Sequence, residues 1–241
     1  SARRIVFPYR RDCIASMREH IKSLPSRSRP SLAFAAFVHP AHHWRHVAAA
    51  LLLLLTACSA PPTLPRLPAE AVVLAFGDSL TYGTGVDGGQ SYPAVLAALA
   101  GRRVINAGVP GEVSAEGLAR LPGVLDEYRP QLLILVHGGN DLLRKRSEQE
   151  LTHNLRAMVE VARSRGIAVV LVGVPAPGLL LSVPDLYEKL AEEQRLPYDA
   201  EALRTILGDR ALKSDPIHPN AEGYRQLAQR LHRLLRDAGA V

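Results

Sequence analysis

From Ala71 to the C-terminus, short apolar runs alternate with segments patterned for helices, and this alternation constrains the fold more than any other feature of the chain. Ala71-Val-Val-Leu-Ala-Phe76, stopped by Gly77, reads as a buried strand. Arg103–Asn106, Gln131–Val136 and Ile167–Val174 read as the second to fourth strands, with Pro197-Tyr198-Asp199 as a short fifth. Gln131–Val136 is almost wholly apolar, which marks a central strand covered on both faces. Helices are expected over Ser91–Ala100, closed by Gly101, and over Ser114–Tyr128, with a break near Pro122-Gly123. Further helices are expected over Glu148–Arg165, Asp185–Arg195 and Ala221–Ala238. In the first of these Leu151, Leu155, Met158, Val159 and Ala162 form one stripe; in the last, Leu227, Leu231, Leu234 and Leu235 are spaced for burial. Strand, helix, strand repeated in this way predicts an α/β fold, a three-layer α/β/α sandwich around a parallel sheet of about five strands. Ligands of such sheets bind at the carboxyl ends of the strands, so the loops after residues 76, 106, 136 and 174 are the place to look.

The chain has 241 residues, a formal net charge of +6 and a pI near 9.6, which invites a nucleic-acid reading until the charge is located. Residues 1–57 hold nine Lys and Arg against two acids, whereas residues 58–241 hold 20 against 21. The patterned region is thus near neutral and shows no basic face for nucleic acid. Arg45 and His46 precede Val47–Ala57, eleven residues that are apolar but for Thr56. As a helix this run spans about half of a ~30 Å hydrocarbon core, too short to cross a membrane and the right length for the apolar part of a secretion signal. It ends Leu55-Thr56-Ala57-Cys58, which resembles the bacterial lipobox; the resemblance implies lipidation of Cys58 and, with Ser59 following, an outer-membrane, periplasm-facing location, the blander alternative being an ordinary secretory signal with an incidental cysteine. Ala60–Pro68 carries four prolines and reads as a semi-rigid tether. The expected organisation is 1–57 extension and signal, 58–69 lipidated cysteine and tether, and 70–241 the folded α/β domain. Residues 1–40, longer than a normal signal start and beginning with Ser, read as upstream sequence and receive no fold.

Four of the strand-end loops carry polar groups suited to acyl transfer: Gly77-Asp78-Ser79-Leu80, Asn106-Ala107-Gly108, Gly138-Gly139-Asn140-Asp141, and Asp215-Pro216-Ile217-His218-Pro219 ahead of the last helix. A serine hydroxyl is a poor nucleophile until a base takes its proton. The imidazole of His218 can take and return a proton near neutral pH. Asp215, three residues earlier in a turn stiffened by two prolines, can fix the imidazole tautomer. Blander readings exist for each residue: a turn or helix-cap role for Ser79, a surface position for His218, a turn cap for Asn140. Asp78 and Asp141 read as groups that bind nearby backbone N–H donors. His137, at the end of a buried strand, reads as a pocket-wall residue or one standing behind the site. The spelling G-x-G-x-x-G at Gly83–Gly88 is a decoy for nucleotide binding, because Gly83 lies seven residues past Phe76 and not in the turn straight after the strand.

The four blocks, in this order, resemble the GDSL, or SGNH, family of serine esterases and lipases, and Ser79-Leu-Thr-Tyr-Gly83 and Gly138–Leu142 resemble its arylesterase and thioesterase–lysophospholipase subgroup. The resemblance covers roughly residues 70–240. It implies a flavodoxin-like fold, Ser79 as nucleophile, and an oxyanion hole built from the N–H groups of Ser79 and Gly108 and the Asn140 amide. Pro216 departs from relatives, which often have Gly there, and puts the Asp215–His218 contact in question. The apolar segment Pro175–Pro184, with Leu179 and Leu180, is expected to touch short to medium acyl chains. No cofactor and no metal is expected: the four histidines beyond residue 58 (His137, His153, His218, His232) are scattered, with no pair at helical ligand spacing. The expected partner is a small ester, at a membrane held through the lipid anchor. Two alternatives share the motifs: deacetylation of a cell-envelope saccharide by the same triad, or a non-catalytic envelope-binding lipoprotein.

Overall fold

The computed structural model describes residues 61–178 and 181–241. Cys58, the apolar run 47–57, Leu179 and Leu180 therefore lie outside the described residues. Five strands form one sheet: β1 (Val72–Gly77), β2 (Arg103–Gly108), β3 (Leu132–Val136), β4 (Ala168–Val172) and β5 (Tyr198–Asp199). Their order is β2-β1-β3-β4-β5 and every neighbouring pair is parallel. This is the doubly wound, flavodoxin-like order. β3 is the central strand, flanked by β1 and β4, and all five of its residues are buried, as its unbroken apolar run requires.

The connecting helices are α1 (Ser79–Tyr82), α2 (Tyr92–Ala100), α3 (Ser114–Tyr128), α4 (Gly139–Leu143), α5 (Glu148–Arg163), α6 (Asp185–Glu193), α7 (Ala202–Gly208) and α8 (Ala221–Asp237). α2 packs on α8 and α8 on α7; on the other face α3 packs on α5 and α5 on α6. The sheet is thus covered on both sides. The stripe Leu151, Leu155, Met158, Val159 and Ala162 of α5 is buried, and α8 buries Tyr224, Leu227, Ala228, Leu231 and Leu235.

Three features depart from the sequence reading. α3 runs unbroken through Pro122, because Gly117, Leu121 and Leu125 bury one continuous face that outweighs the single hydrogen bond a proline removes. Three helices were not anticipated: α1 and α4, which fall in strand-end loops, and α7, in a stretch given no element. The first two have four and five residues, too few for a periodic signal. Finally, the packed domain starts inside the expected tether. Leu67 is buried and its N–H bonds to the Ala240 carbonyl at 2.8 Å, while the Leu64 N–H bonds to the Ala238 carbonyl at 2.8 Å. The prolines of 61–68 keep this strap extended, which leaves its free N–H groups available to the C-terminal tail.

Candidate active site

The chain leaves β1 in one direction for β2 and later reaches β3 on the other side, so the carboxyl ends of β1 and β3 flank the crevice where this architecture binds ligands. Ser79 stands there, one residue past Asp78 and at the first position of α1. Asp78 starts the helix: its Oδ1 accepts the Leu80 N–H at 3.0 Å. Asp78 is fully buried, and that burial pushes its carboxyl above the ordinary range, against the opposing pull of His137 and of the Leu80 and Gly139 N–H groups.

The last block closes on Ser79 from the far end of the sequence. His218 Nε2 lies 2.9 Å from Ser79 Oγ, and His218 Nδ1 lies 2.7 Å from Asp215 Oδ2. Asp215 Oδ1 accepts the N–H groups of Ile217 and His218, each at 2.9 Å, and so folds the turn while Oδ2 holds the ring. Burial raises the Asp215 carboxyl, but the hydrogen bond to His218 and the Ile217 and His218 N–H groups outweigh it and hold it below the ordinary carboxylate value. An ionised Asp215 fixes the Nδ1–H tautomer and leaves the Nε2 lone pair facing Ser79 Oγ. Pro216 does not disturb this contact: it lines the cleft, and the turn's hydrogen bonds run around it. Lys213 and Pro219 pair across the turn and the Ser214 N–H bonds to the His218 carbonyl at 3.0 Å, closing the loop on itself.

The donors around Ser79 differ from the expectation at one position. Gly108 ends the edge strand β2, and successive N–H groups of a strand point to opposite sides. The Val109 N–H points inward, to the Gly77 carbonyl at 3.0 Å. The Gly108 N–H therefore points outward, away from Ser79, and is taken by Asn106 Oδ1 at 3.0 Å. Gly108 is not an oxyanion donor. Its lack of a side chain serves packing instead, since a Cβ there would sit 2.1 Å from the Tyr82 N atom. Three residues on, Gly111 (φ +81°) stands in the loop that faces Asn140, and among the described residues its N–H and that of Ser79 donate to no protein acceptor. Asn140 Nδ2 donates one hydrogen to the Glu112 carbonyl at 3.0 Å and keeps the second. Sequence reading passed over Gly111 because a glycine three residues past the motif has no signature of its own.

Of the two places expected for His137, the pocket wall is the one the structure rules out: its ring is fully buried behind the site and lines no part of the cleft, so it is not a substrate contact here. Its Nδ1 accepts the Gly138 N–H at 2.9 Å and its Nε2 meets Glu112 Oε2 at 3.1 Å. Asp141 binds the Ser114 N–H at 2.8 Å and the Ser114 hydroxyl at 2.7 Å. Among the described residues, no group of three or more His, Cys, Asp or Glu side chains is placed to hold a metal ion.

A cleft of about 250 Å³ opens beside Ser79 and His218, walled by Leu143, Val174, Pro177, Leu181, Leu207 and Ile217. The cleft thus sets apolar side chains beside the Ser–His–Asp relay. The model of the GDSL-like lipase/acylhydrolase family matches residues 75–226. The chain belongs to that family. It is 34% identical over 180 residues to esterase TesA of Pseudomonas aeruginosa, across 69% of this chain and 89% of the relative. It is 32% identical over 174 residues to an arylesterase of Vibrio mimicus, across 67% and 86%. Among solved structures, AlinE4, described as an SGNH-hydrolase family esterase, superposes with a TM-score of 0.55 at 35% identity, across 73% of this chain and all of that one. As a GDSL-family member with Ser79, Asp215 and His218 in contact, the chain is a serine esterase.

Proposed function

We propose that Ser79, His218 and Asp215 hydrolyse esters of short to medium acyl chains through a covalent acyl-enzyme. The observation that carries this reading is the 2.9 Å and 2.7 Å relay from Ser79 through His218 to Asp215 at the mouth of an apolar cleft. His218 Nε2 takes the hydroxyl proton as Ser79 Oγ attacks the carbonyl carbon, and Asp215 stabilises the imidazolium. The carbonyl oxygen becomes an oxyanion that collects the Ser79 N–H, the Gly111 N–H and the free hydrogen of the Asn140 amide. His218 then protonates the departing alcohol, and a water activated by the same nitrogen releases the acid. The cleft volume, about 250 Å³, falls just under the roughly 300–1,000 Å³ of pockets that enclose drug-sized ligands, which favours chains of modest length. Pro175, Pro177 and Leu181 of the 175–184 segment line the cleft, which supports acyl contacts from that segment. A p-nitrophenyl ester series from acetate to palmitate tests the proposal. Turnover should peak at short to medium chains and vanish in Ser79→Ala; faster acetate release from acetylated glycan than from any of these esters would favour the deacetylase reading.

The location of the enzyme is a separate part of the proposal and rests on sequence. The apolar run 47–57 ends at Cys58, whose lipidation would anchor the chain to the periplasmic side of the outer membrane. Among the described residues no helix is long and apolar enough to cross a membrane. Fractionation of cells expressing Cys58→Ser decides it: the variant should leave the membrane pellet, and its retention there after signal cleavage would exclude this anchor.

A further inference from the structure

Behind the loop that carries Gly111 lies an ionic cluster that the Ser79–His218–Asp215 relay does not use. Glu112 is 6% exposed. Its Oε2 accepts from His137 Nε2 at 3.1 Å and from Arg120 Nη2 at 2.7 Å, and its Oε1 accepts from Arg120 Nε at 2.8 Å. Burial raises the Glu112 carboxyl, but the hydrogen bonds from His137 and Arg120 and the guanidinium charge outweigh it, so the group stays ionised. Arg120 is held in turn by the Ala107 carbonyl at 3.1 Å and lies 4.1 Å above the Phe76 ring. The Gly138 N–H bonded to His137 Nδ1 puts the ring proton on Nε2, aimed at Glu112. Space for the ring exists because α3 has no side chain at Gly117, where a Cβ would lie 2.4 Å from His137 Nε2.

Stability alone is a weak reason for such a cluster, since buried ion pairs can often be replaced by apolar groups of similar volume at no cost. Its geometry gives a better one. The cluster ties together the loop after β2 (Glu112), the end of β3 (His137) and α3 (Arg120). Glu112 also offers its backbone carbonyl to Asn140 Nδ2 at 3.0 Å, and it is the chain neighbour of Gly111, whose own carbonyl is held by Arg144 Nη2 at 2.9 Å. Any shift of Glu112 moves the Gly111 N–H and the Asn140 amide together, relative to Ser79.

We propose that Glu112, oriented by His137 and Arg120, is the positioning residue of the oxyanion site. The proposal rests on the reading of Ser79, Gly111 and Asn140 given above; none of the three cluster residues touches substrate. Glu112→Gln keeps the shape but sets its NH2 against a donor, of His137 or of Arg120, whichever way the amide turns. His137→Gln places an amide near Nε2, whereas His137→Asn reaches only the position of Nδ1. Each variant is assayed for kcat and KM on p-nitrophenyl acetate, per active site counted by phosphonate titration, and for affinity toward a trifluoromethyl ketone that mimics the tetrahedral adduct. In Glu112→Gln, kcat should fall about 10- to 100-fold, the scale of a slight misplacement at a reacting centre. KM should stay within about twofold, since positioning of this kind acts on the transition state and not on ground-state binding. Affinity for the ketone should fall by the same factor as kcat. His137→Gln should recover most of the kcat lost in His137→Asn, a comparison that stands alone if Glu112→Gln does not fold. A kcat within twofold of wild type, or a fall in kcat with undiminished ketone affinity, overturns the proposal. Failure of the underlying reading shows separately, as phosphonate labelling that persists in Ser79→Ala.

Discussion

Asp215 divides its work between its two oxygens: Oδ1 holds the backbone of the 215–218 turn and Oδ2 holds the His218 ring. Asp215→Asn can preserve the first but presents the wrong hydrogen-bonding face or tautomer to the second. Its kcat should fall on the order of 10³- to 10⁴-fold. Asp209 is a control in the same region: it only caps a short turn through the Ala211 N–H at 2.8 Å, so Asp209→Asn should leave kcat within about twofold, turnover per active site being the measurement for both. Glu112 supplies a pH test. Its carboxyl is held below the ordinary value of 4.5 in the folded chain. Protonation is therefore easier in the unfolded chain, and the stabilisation is fully present above about pH 4.5 and lost as pH falls through the lowered folded value. Urea unfolding of wild type and Glu112→Gln should differ most near pH 6–7 and converge toward acid; a gap that widens on acidification would mean that the carboxylate is not stabilised by folding.

At the scale of elements, the short pieces place the chemistry and the long ones hold them. α8 begins at an asparagine that works on both sides: Asn220 Oδ1 accepts the Gly223 N–H at 3.0 Å, and its Nδ2 donates to the Ala211 carbonyl at 2.8 Å. Since His218 is two residues away, this cap sets where the catalytic turn enters the helix. Asn220→Ala should cost about 1–2 kcal/mol of stability and lower kcat as well, whereas Asn220→Asp should keep most of the stability, as thermal melts and turnover will show. α3 illustrates the opposite balance: Pro122 breaks helices by local rule, but three buried residues on one face keep the helix continuous.

For the whole molecule, the strap at Leu64–Leu67 joins the two ends of the described chain beside the start of β1, at the end of the sheet opposite Ser79. Burying Leu67 is worth roughly 1.5–3 kcal/mol, and the backbone bonds that Leu64 and Leu67 each make to the tail add about 0.5–1.5 kcal/mol apiece. A chain beginning at residue 69 should therefore lose about 3 kcal/mol or more of stability relative to one beginning at residue 61. The folded fraction should keep wild-type kcat, because the strap does not reach the cleft. Equal unfolding midpoints for the two chains would show that the strap merely rests on the domain.

What the sequence determined by itself was whatever local pattern encodes directly. Unbroken apolar runs separated by amphipathic segments require a parallel sheet covered on both faces, and that architecture brings strand-end loops together, so Ser79, Asn140, Asp215 and His218 were legible before any coordinate. Position within a strand was not legible. Gly108 and Gly111 look alike as letters, and only the pairing of Val109 with Gly77 showed that the Gly108 N–H points away from Ser79. Nor does sequence spacing bring Glu112, Arg120 and His137 to one carboxylate, or Leu67 to Ala240 across the length of the chain. Those contacts depend on strand register and on the packing of α3 and α8 against the sheet, both set by the summed burial of many side chains and by no single residue.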